Sequence, residues 1–248
     1  MPQILLMGDE EGTADVAREF GIRHIPHIKR NVYATPLLDS IFEIGQREAA
    51  NPLVCYINSD IILMEDFTTV ISRLVQYEKN FLAVGRRWNL DITQPLEFAN
   101  GWSKELDMLR QKKGRLDCHS GIDCFIFFKG QIKIFPPFAL GRPFWDNWLI
   151  FHAKTNGIPV IDFTEVLPII HQSHDYSHYK LGGGVWDGPE ANENLKLAGG
   201  YRYIYTIWDT DYQLTHNGLK KNFARNFSKL LRGIKTVYHR YLKHNANW

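Results

Sequence analysis

Cysteine is scarce in this chain of 248 residues: Cys55, Cys118 and Cys124 are its only three, with no Cys-x-x-Cys pair and no metal-finger spacing. A sparse, odd set of thiols does not build a disulfide framework and points to a reducing compartment. No apolar run approaches the roughly 18 residues of a membrane-spanning helix. No signal-peptide pattern precedes the first strand-like segment. A cytoplasmic protein is therefore expected. The sequence also lacks internal repeats, low-complexity tracts and a His-Glu-x-x-His zinc signature. Acidic residues are missing from Leu219 onward, where eight Lys or Arg occur. The body before that point carries 21 basic against 27 acidic groups, so a net charge of +2 hides an acidic body and a basic tail.

The hydrophobic share of 44% and charged share of 23% are those of a globular protein, long enough for one α/β domain or two small ones. Aromatics make up 13%, which suits either flat or ring-shaped ligands or a well-packed core. The pattern predicts a strand over 3–7, a helix over 14–20, a short strand over 22–28 and a helix opened by Thr35-Pro36. A strand from Leu53 ending at Asn58, a helix over 66–77 and a strand over 81–85 follow. This alternation predicts an α/β sheet with right-handed crossovers. Further on, a helix is expected within 95–109, a strand over 122–128 and a helix over 145–155. Short strands at 158–163 and 166–170, a long loop over 171–190 and a helix over 190–198 complete the body.

Four places carry candidate chemistry. The apolar run 53–57 delivers Asn58-Ser59-Asp60 at its carboxyl end, where open α/β sheets bind ligands. A hard divalent cation needs a rigid carboxylate such as Asp60, although an Asx turn after a strand gives the same triplet. Gly8-Asp9-Glu10-Glu11-Gly12-Thr13 feeds a helix. Its carboxylate could meet a base or ribose, or serve only the helix dipole. In Gly141-Arg142-Pro143-Phe144-Trp145-Asp146-Asn147-Trp148, two indoles flank an acid at a helix start. They could stack on a sugar beside a general base, or Asp146 could be an N-terminal helix residue with Trp148 in the core. His171, His174 and His178 lie before a triple glycine and could serve a metal or a phosphate.

In this order the segments resemble nucleotide-sugar glycosyltransferases of the GT-A fold, family 2-like, over roughly residues 3–210. Gly8 to Ala17 resembles their Asp-Asp-Gly-Ser-x-Asp segment, Asn58-Ser59-Asp60 their Asp-x-Asp motif, and Trp145-Asp146 the position of their acidic base. The resemblance implies a Rossmann-like three-layer sandwich that lacks the usual first strand–helix unit, because Gln3 starts what corresponds to the second strand. It implies an inverting, metal-dependent transfer from a nucleotide-diphosphate sugar to a glycan or lipid-linked acceptor. Asp60 and His171 would bind Mn²⁺ or Mg²⁺, and Asp146 would act as base. Asp9, Asn58 and His174 would contact the nucleotide, and Arg86, Trp145 and Trp148 the substrate. Asn58 departs from the motif's first Asp. Two alternatives stay open: a catalytically silent sugar- or nucleotide-binding module, and a sugar nucleotidyltransferase. The latter wants a Gly-rich triphosphate loop that residues 1–30 lack.

The domain is expected to span 1–211, followed by a helical extension over 212–248. Phe223, Phe227, Leu230, Leu231, Ile234, Tyr238, Tyr241 and Leu242 would line one side of a basic amphipathic helix. Such a helix could lie on the inner membrane face through 219–243 or dock on the acidic body. Nucleic acid is not an expected partner, since the body is acidic and no binding motif is present.

Overall fold

The computed structural model describes residues 2–77, 80–173 and 184–223. They fall into two compact units. One is drawn from Met1–Val54, Phe128–Trp145 and Tyr179–Gly200, the other from Cys55–Phe127, Asp146–His178 and Tyr201–Trp248.

In the first unit β1 (Leu5–Met7), α1 (Thr13–Glu19) and β2 (Arg23–Ile25) form a crossover with parallel strands, Leu5 opposite Arg23 and Met7 opposite Ile25. Gly12, at φ +83°, turns the chain into α1, a conformation that favours glycine. Alternation along the sequence predicts one sheet, but β1 and β2 form a two-stranded sheet of their own. The seven-residue helix between them closes the crossover directly onto itself. The next helix, α2 (Leu38–Glu48), starts later than Thr35-Pro36 because Pro36 and Leu37 are held extended by bridges to Arg30 and Ala139. Its buried Leu38, Ile41 and Phe42 recur at helical spacing. Phe42 stacks on Phe135 at 4.2 Å, and Phe135 meets Phe138 edge-on at 5.7 Å. After α6 (Gly184–Asp187), α7 (Pro189–Leu197) presents the buried Asn194. Asn194 accepts from the Ala139 amide at 2.8 Å and donates to the carbonyls of Ala139 and Pro143. One side chain thereby satisfies and fixes the Pro-rich loop that precedes Asp146.

The second unit is organised on a nine-stranded mixed sheet. Its strands are β3 (Leu53–Ile57), β4 (Ile61–Leu63), β5 (Leu82–Leu90), β6 (Arg115–Leu116), β7 (Ile122–Phe128), β8 (Val160–Asp162), β9 (Ile169–Gln172), β10 (Tyr212–Thr215) and β11 (Gly218–Lys221). The main path runs β11-β10-β8-β5-β7-β3. The nine residues of β5 form its spine. Leu82 to Val84 run parallel to β8 and Arg87 to Leu90 parallel to β9, while β7 lies antiparallel with a register shift at Gly85/Arg86. Sequence patterning ends this strand at Gly85, because Arg86, Arg87 and Asn89 interrupt its apolar run; neighbouring strands on both sides carry it on. The helices are α3 (Phe67–Tyr77), α4 (Trp102–Lys113) and α5 (Trp145–Thr155). Helix α4 begins well after Pro95, following Gly101 at φ +91°.

The helical extension expected from residue 212 is corrected over 212–221. There β10 and β11 form an antiparallel hairpin with Thr215 opposite Gly218, and β10 runs parallel to β8. His216-Asn217 make the turn and Gly218 follows at φ +116°, a left-handed glycine that starts the return strand. The boundary expected at 211/212 thus falls inside the second unit. Residues 224–243 of the expected amphipathic helix lie outside the described residues. Among the described residues no helix is long and apolar enough to cross a membrane.

The close packing of the sheet is tested at Gly85. A Cβ there would overlap the ring of the fully buried Phe163. Gly85→Ala is expected to lower stability by about 1–3 kcal/mol, the usual cost of overpacking a core. Gly85→Ala with Phe163→Leu is expected to recover part of the loss. Urea unfolding midpoints measure both.

Candidate functional site

The side chains that converge in the second unit come from strand ends and one helix start. The backbone of β9 runs between β4 and β5. Ile61 pairs with His171 on one side and Asn89 pairs with His171 on the other. The Gln172 amide donates to the Asp60 carbonyl at 3.0 Å. This register brings Asp60 Oδ2 within 3.3 Å of His171 Nε2. His171 is buried, and Asp60 is partly exposed at the turn between β3 and β4.

Asp123, which sequence patterning did not single out, lies beside them. It is 7% exposed within β7, between Ile122 and Cys124, both fully buried. Its Oδ2 accepts from Arg87 Nη1 at 2.7 Å, and its Oδ1 faces Asn58 Nδ2 at 3.4 Å. Arg87 Nε donates to Asp117 Oδ2 at 2.6 Å, and Asn89 Nδ2 donates to the same oxygen at 3.1 Å. Burial pushes the Asp123 carboxyl up, and Arg87 opposes that push. Desolvation also works against the charge of Arg87, yet Asp123 and Asp117 hold its guanidinium above its ordinary pKa. At Asp117 desolvation is outweighed by Asn89, the Cys118 amide and Arg87, so its pKa falls to about 2.

Asp146 opens α5 in the same unit. Its Oδ1 is buried with no hydrogen-bond partner among the described residues, although the residue as a whole is partly accessible. Desolvation is the main reason its pKa rises to about 7, and the charge of Asp123 adds to the rise. Backbone amides of Asn147 and Asp146 and the charge of Arg87 pull the other way. The neighbouring Asn147 donates to the Ser120 carbonyl at 3.3 Å, tying the start of α5 to the turn before β7. The Tyr56 phenol is pushed well above its usual range, first by desolvation and then by Asp123, Asp60 and Asp146. One phenol therefore feels all three carboxylates.

The remaining expected site residues are placed as follows. Asn58 accepts from the Tyr56 hydroxyl at 3.0 Å, so its amide is held on both sides. Arg86 does not join the acidic group. Its Nε donates to the Cys118 carbonyl at 3.2 Å and its guanidinium also reaches the Asp117 carbonyl. It lines a cleft of about 330 Å³ with Trp88, Arg110 and Asp162. The alternation of side chains along a strand separates Arg86 and Trp88 from Arg87 and Asn89. Trp145 and Trp148 differ from the sugar-stacking surface expected of them. Both are buried, Trp145 against Phe42 and Phe135 in the first unit and Trp148 stacked on His152 in the second. Asp9 belongs to the first unit, where it is exposed and paired with Arg30, which also holds Glu10 at 2.9 Å. His174 and His178 lie outside the described residues.

Oxygen and nitrogen ligands sit about 2.0–2.2 Å from small divalent ions, so two ligands on adjacent corners stand roughly 3 Å apart. The spacing of Asp60 Oδ2 and His171 Nε2 fits such a pair. Among the described residues no group of three or more His, Cys, Asp or Glu forms a ready-made metal cage. The signal for Asp123 was legible as a lone acid inside the apolar run Ile122 to Phe128. Arg87 had none, since its partners come from β6–β7 and β7. Compared with protein families and with curated proteins, the sequence matches none.

The raised pKa of Asp146 makes a stability prediction. An unfolded Asp titrates near 3.9, so between roughly pH 4 and 7 the folded chain holds a proton that the unfolded chain has lost. Stability contributed by this group is therefore full below pH 4 and falls as the pH rises through 7. Asp146→Asn is expected to remove that fall, a relative gain of the order of 4 kcal/mol at pH 7.5 over pH 4. Urea unfolding of both proteins across this range measures the difference in slope.

Proposed function

We propose that this chain is a metal-dependent, inverting glycosyltransferase of the GT-A type, using a nucleotide-diphosphate sugar. The observation that carries the reading is the juxtaposition of Asp60 and His171 at 3.3 Å with a buried carboxyl at Asp146 whose pKa lies at about 7. The order of motifs along the sequence supports it. The reading rests on the second unit alone, and Asp9 in the first unit carries no step of it.

Asp60 and His171 would hold the divalent ion, Mn²⁺ or Mg²⁺. Such an ion, when bound, neutralises charge on a departing diphosphate. Asp146 acts as general base. In its ionised form it takes the proton of an acceptor hydroxyl as that oxygen bonds to the anomeric carbon and the bond to the diphosphate breaks. Attack from the face opposite the leaving group inverts the anomeric centre. A base with a pKa near the working pH combines a large ionised fraction with useful basicity, and burial, only partly offset by backbone amides and Arg87, produces that value here. Asn58 and Tyr56 hold the turn that presents Asp60. The acceptor is a glycan or a lipid-linked hydroxyl.

A silent nucleotide- or sugar-binding module is the second reading. It is favoured by the lack of a third described metal ligand and by Asn58, whose amide is already engaged. Release of nucleoside diphosphate from a panel of nucleotide sugars, with and without Mn²⁺, separates the two. Metal-dependent release is expected, with a pH–rate midpoint near 7 as Asp146 ionises. Asp60→Ala and Asp146→Asn are each expected to reduce turnover by at least about 100-fold with an unchanged circular dichroism spectrum. Near-normal turnover in both folded variants would sink the proposal, and binding without turnover would favour the module.

A further inference from the structure

Asp123 is an expensive residue where it stands. At 7% exposure its carboxylate has lost most of its hydration. Apolar residues at such positions are commonly as stable or more so. Its surroundings hold it in one place. Arg87 grips Oδ2 at 2.7 Å and is itself fixed by Asp117 at 2.6 Å, so the guanidinium cannot swing away. The other oxygen is turned toward Asn58 Nδ2 at 3.4 Å, and Asn58 belongs to the turn that carries Asp60. That turn contributes one carboxylate, because Asn58 and Ser59 are both neutral. Asp123 also lies within the electrostatic reach of both Asp60 and His171.

We infer that Asp123 is a positioning residue for the Asp60–His171 pair, supplying from β7, through Asn58, the second negative charge that the 58–60 turn lacks. Arg87 keeps that charge in register. The inference rests on the proposed function to the extent that Asp60 and His171 take a divalent cation. It adds that the strength of the cation site is set by a third residue on a different strand. Partners beyond the direct ligands typically change metal affinity by about 10- to 100-fold.

The test is a titration of the full chain with Mn²⁺ alone, at fixed pH and without nucleotide, followed by calorimetry and by the paramagnetic resonance of free Mn²⁺. Asp123→Asn is expected to weaken binding by about 10- to 100-fold. Asp117→Asn takes away the other partner of Arg87 but leaves the charge at 123, and is expected to change affinity by less than about twofold while costing stability. Asn58→Asp with Asp123→Asn moves the carboxylate to the turn and is expected to recover most of the lost affinity. Asn58→Ala leaves the Arg87 clamp intact, so it stays informative should Asp123→Asn fail to fold; it is expected to weaken binding by at least about threefold. If Asp60→Ala loses Mn²⁺ while Asp123→Asn and Asn58→Ala bind as the wild type does, this inference falls and the proposed function stands. Equal weakening by Asp117→Asn and Asp123→Asn also overturns it, since the clamp would then be only structural. A wild-type chain that takes up no Mn²⁺ overturns both.

Discussion

The fork of Arg87 between Asp117 and Asp123 is the interaction on which the second unit's polar interior depends. Asp60, Asp123 and Asp146 all raise the pKa of one phenol, Tyr56, which places three acids around a common, poorly hydrated region. Like charges in such surroundings cannot all stay ionised without a counter-charge. A guanidinium is suited to the task because it stays protonated at any working pH and presents two donors in a rigid plane. With Nε on Asp117 and Nη1 on Asp123, Arg87 helps hold Asp117 well below the usual carboxylate range and opposes the rise that burial imposes on Asp123. Asp146 has no such bond from Arg87 and rises to about 7. Two carboxylates in one region thus acquire different protonation behaviour from their surroundings alone.

That arrangement follows from the backbone of β5. A strand confined to residues 81–85 would have placed Arg86 and Arg87 in a loop. Extending to Leu90 between β6 and β9 makes consecutive arginines point to opposite faces. The shift in register at Gly85/Arg86 lets the strand change partners, from β8 in its first half to β9 in its second. Gly85 is needed there for a separate reason, since the Phe163 ring occupies the space a Cβ would take. The same nine residues therefore seat a core aromatic, line a cleft through Arg86 and Trp88, and hold the acidic site through Arg87 and Asn89.

Elements with a strong period were legible in the sequence. The helix at 145–155 has the expected bounds, and β3 and α3 each differ by one residue. Their signals are local: an apolar β-branched run, or apolar residues at helical spacing. What escaped was set by tertiary partners. The extension of β5 is written in polar residues whose burial depends on β6, β7 and β9. The late start of α2 depends on bridges from Pro36 and Leu37 to distant residues. The hairpin of 212–221 did have a local signal, Asn217-Gly218, but the basic and apolar spacing of the following residues dominated the reading. In the site, Asp60, His171 and Asp146 were named from motif order, whereas Asp123 and Arg87 became visible only once strands were paired. Trp145 and Trp148 illustrate the converse. An indole beside an acid reads as a sugar platform in one dimension, and both indoles proved to be packing residues.

The strand register also explains why His171, 25 residues beyond the acid at 146 and more than a hundred beyond Asp60, can stand at 3.3 Å from Asp60. The pairing of Ile61 with His171 is one rung of a three-residue antiparallel ladder that includes Ile62 with Ile170 and Leu63 with Ile169. Ile169 and Ile170, on opposite faces, are fully buried and Ile61 nearly so, so a one-residue slip would carry His171 or the exposed Gln172 into a place now filled by a buried side chain. The hydrophobic effect thus sets the register, and the register sets the separation of the two polar groups at its end. Asp60 needs no conformational search to find His171, because the cost of ordering both has already been met by the burial of the isoleucines beside them. A site built in this way is pre-positioned by the core, and its polar geometry is as rigid as the ladder that carries it.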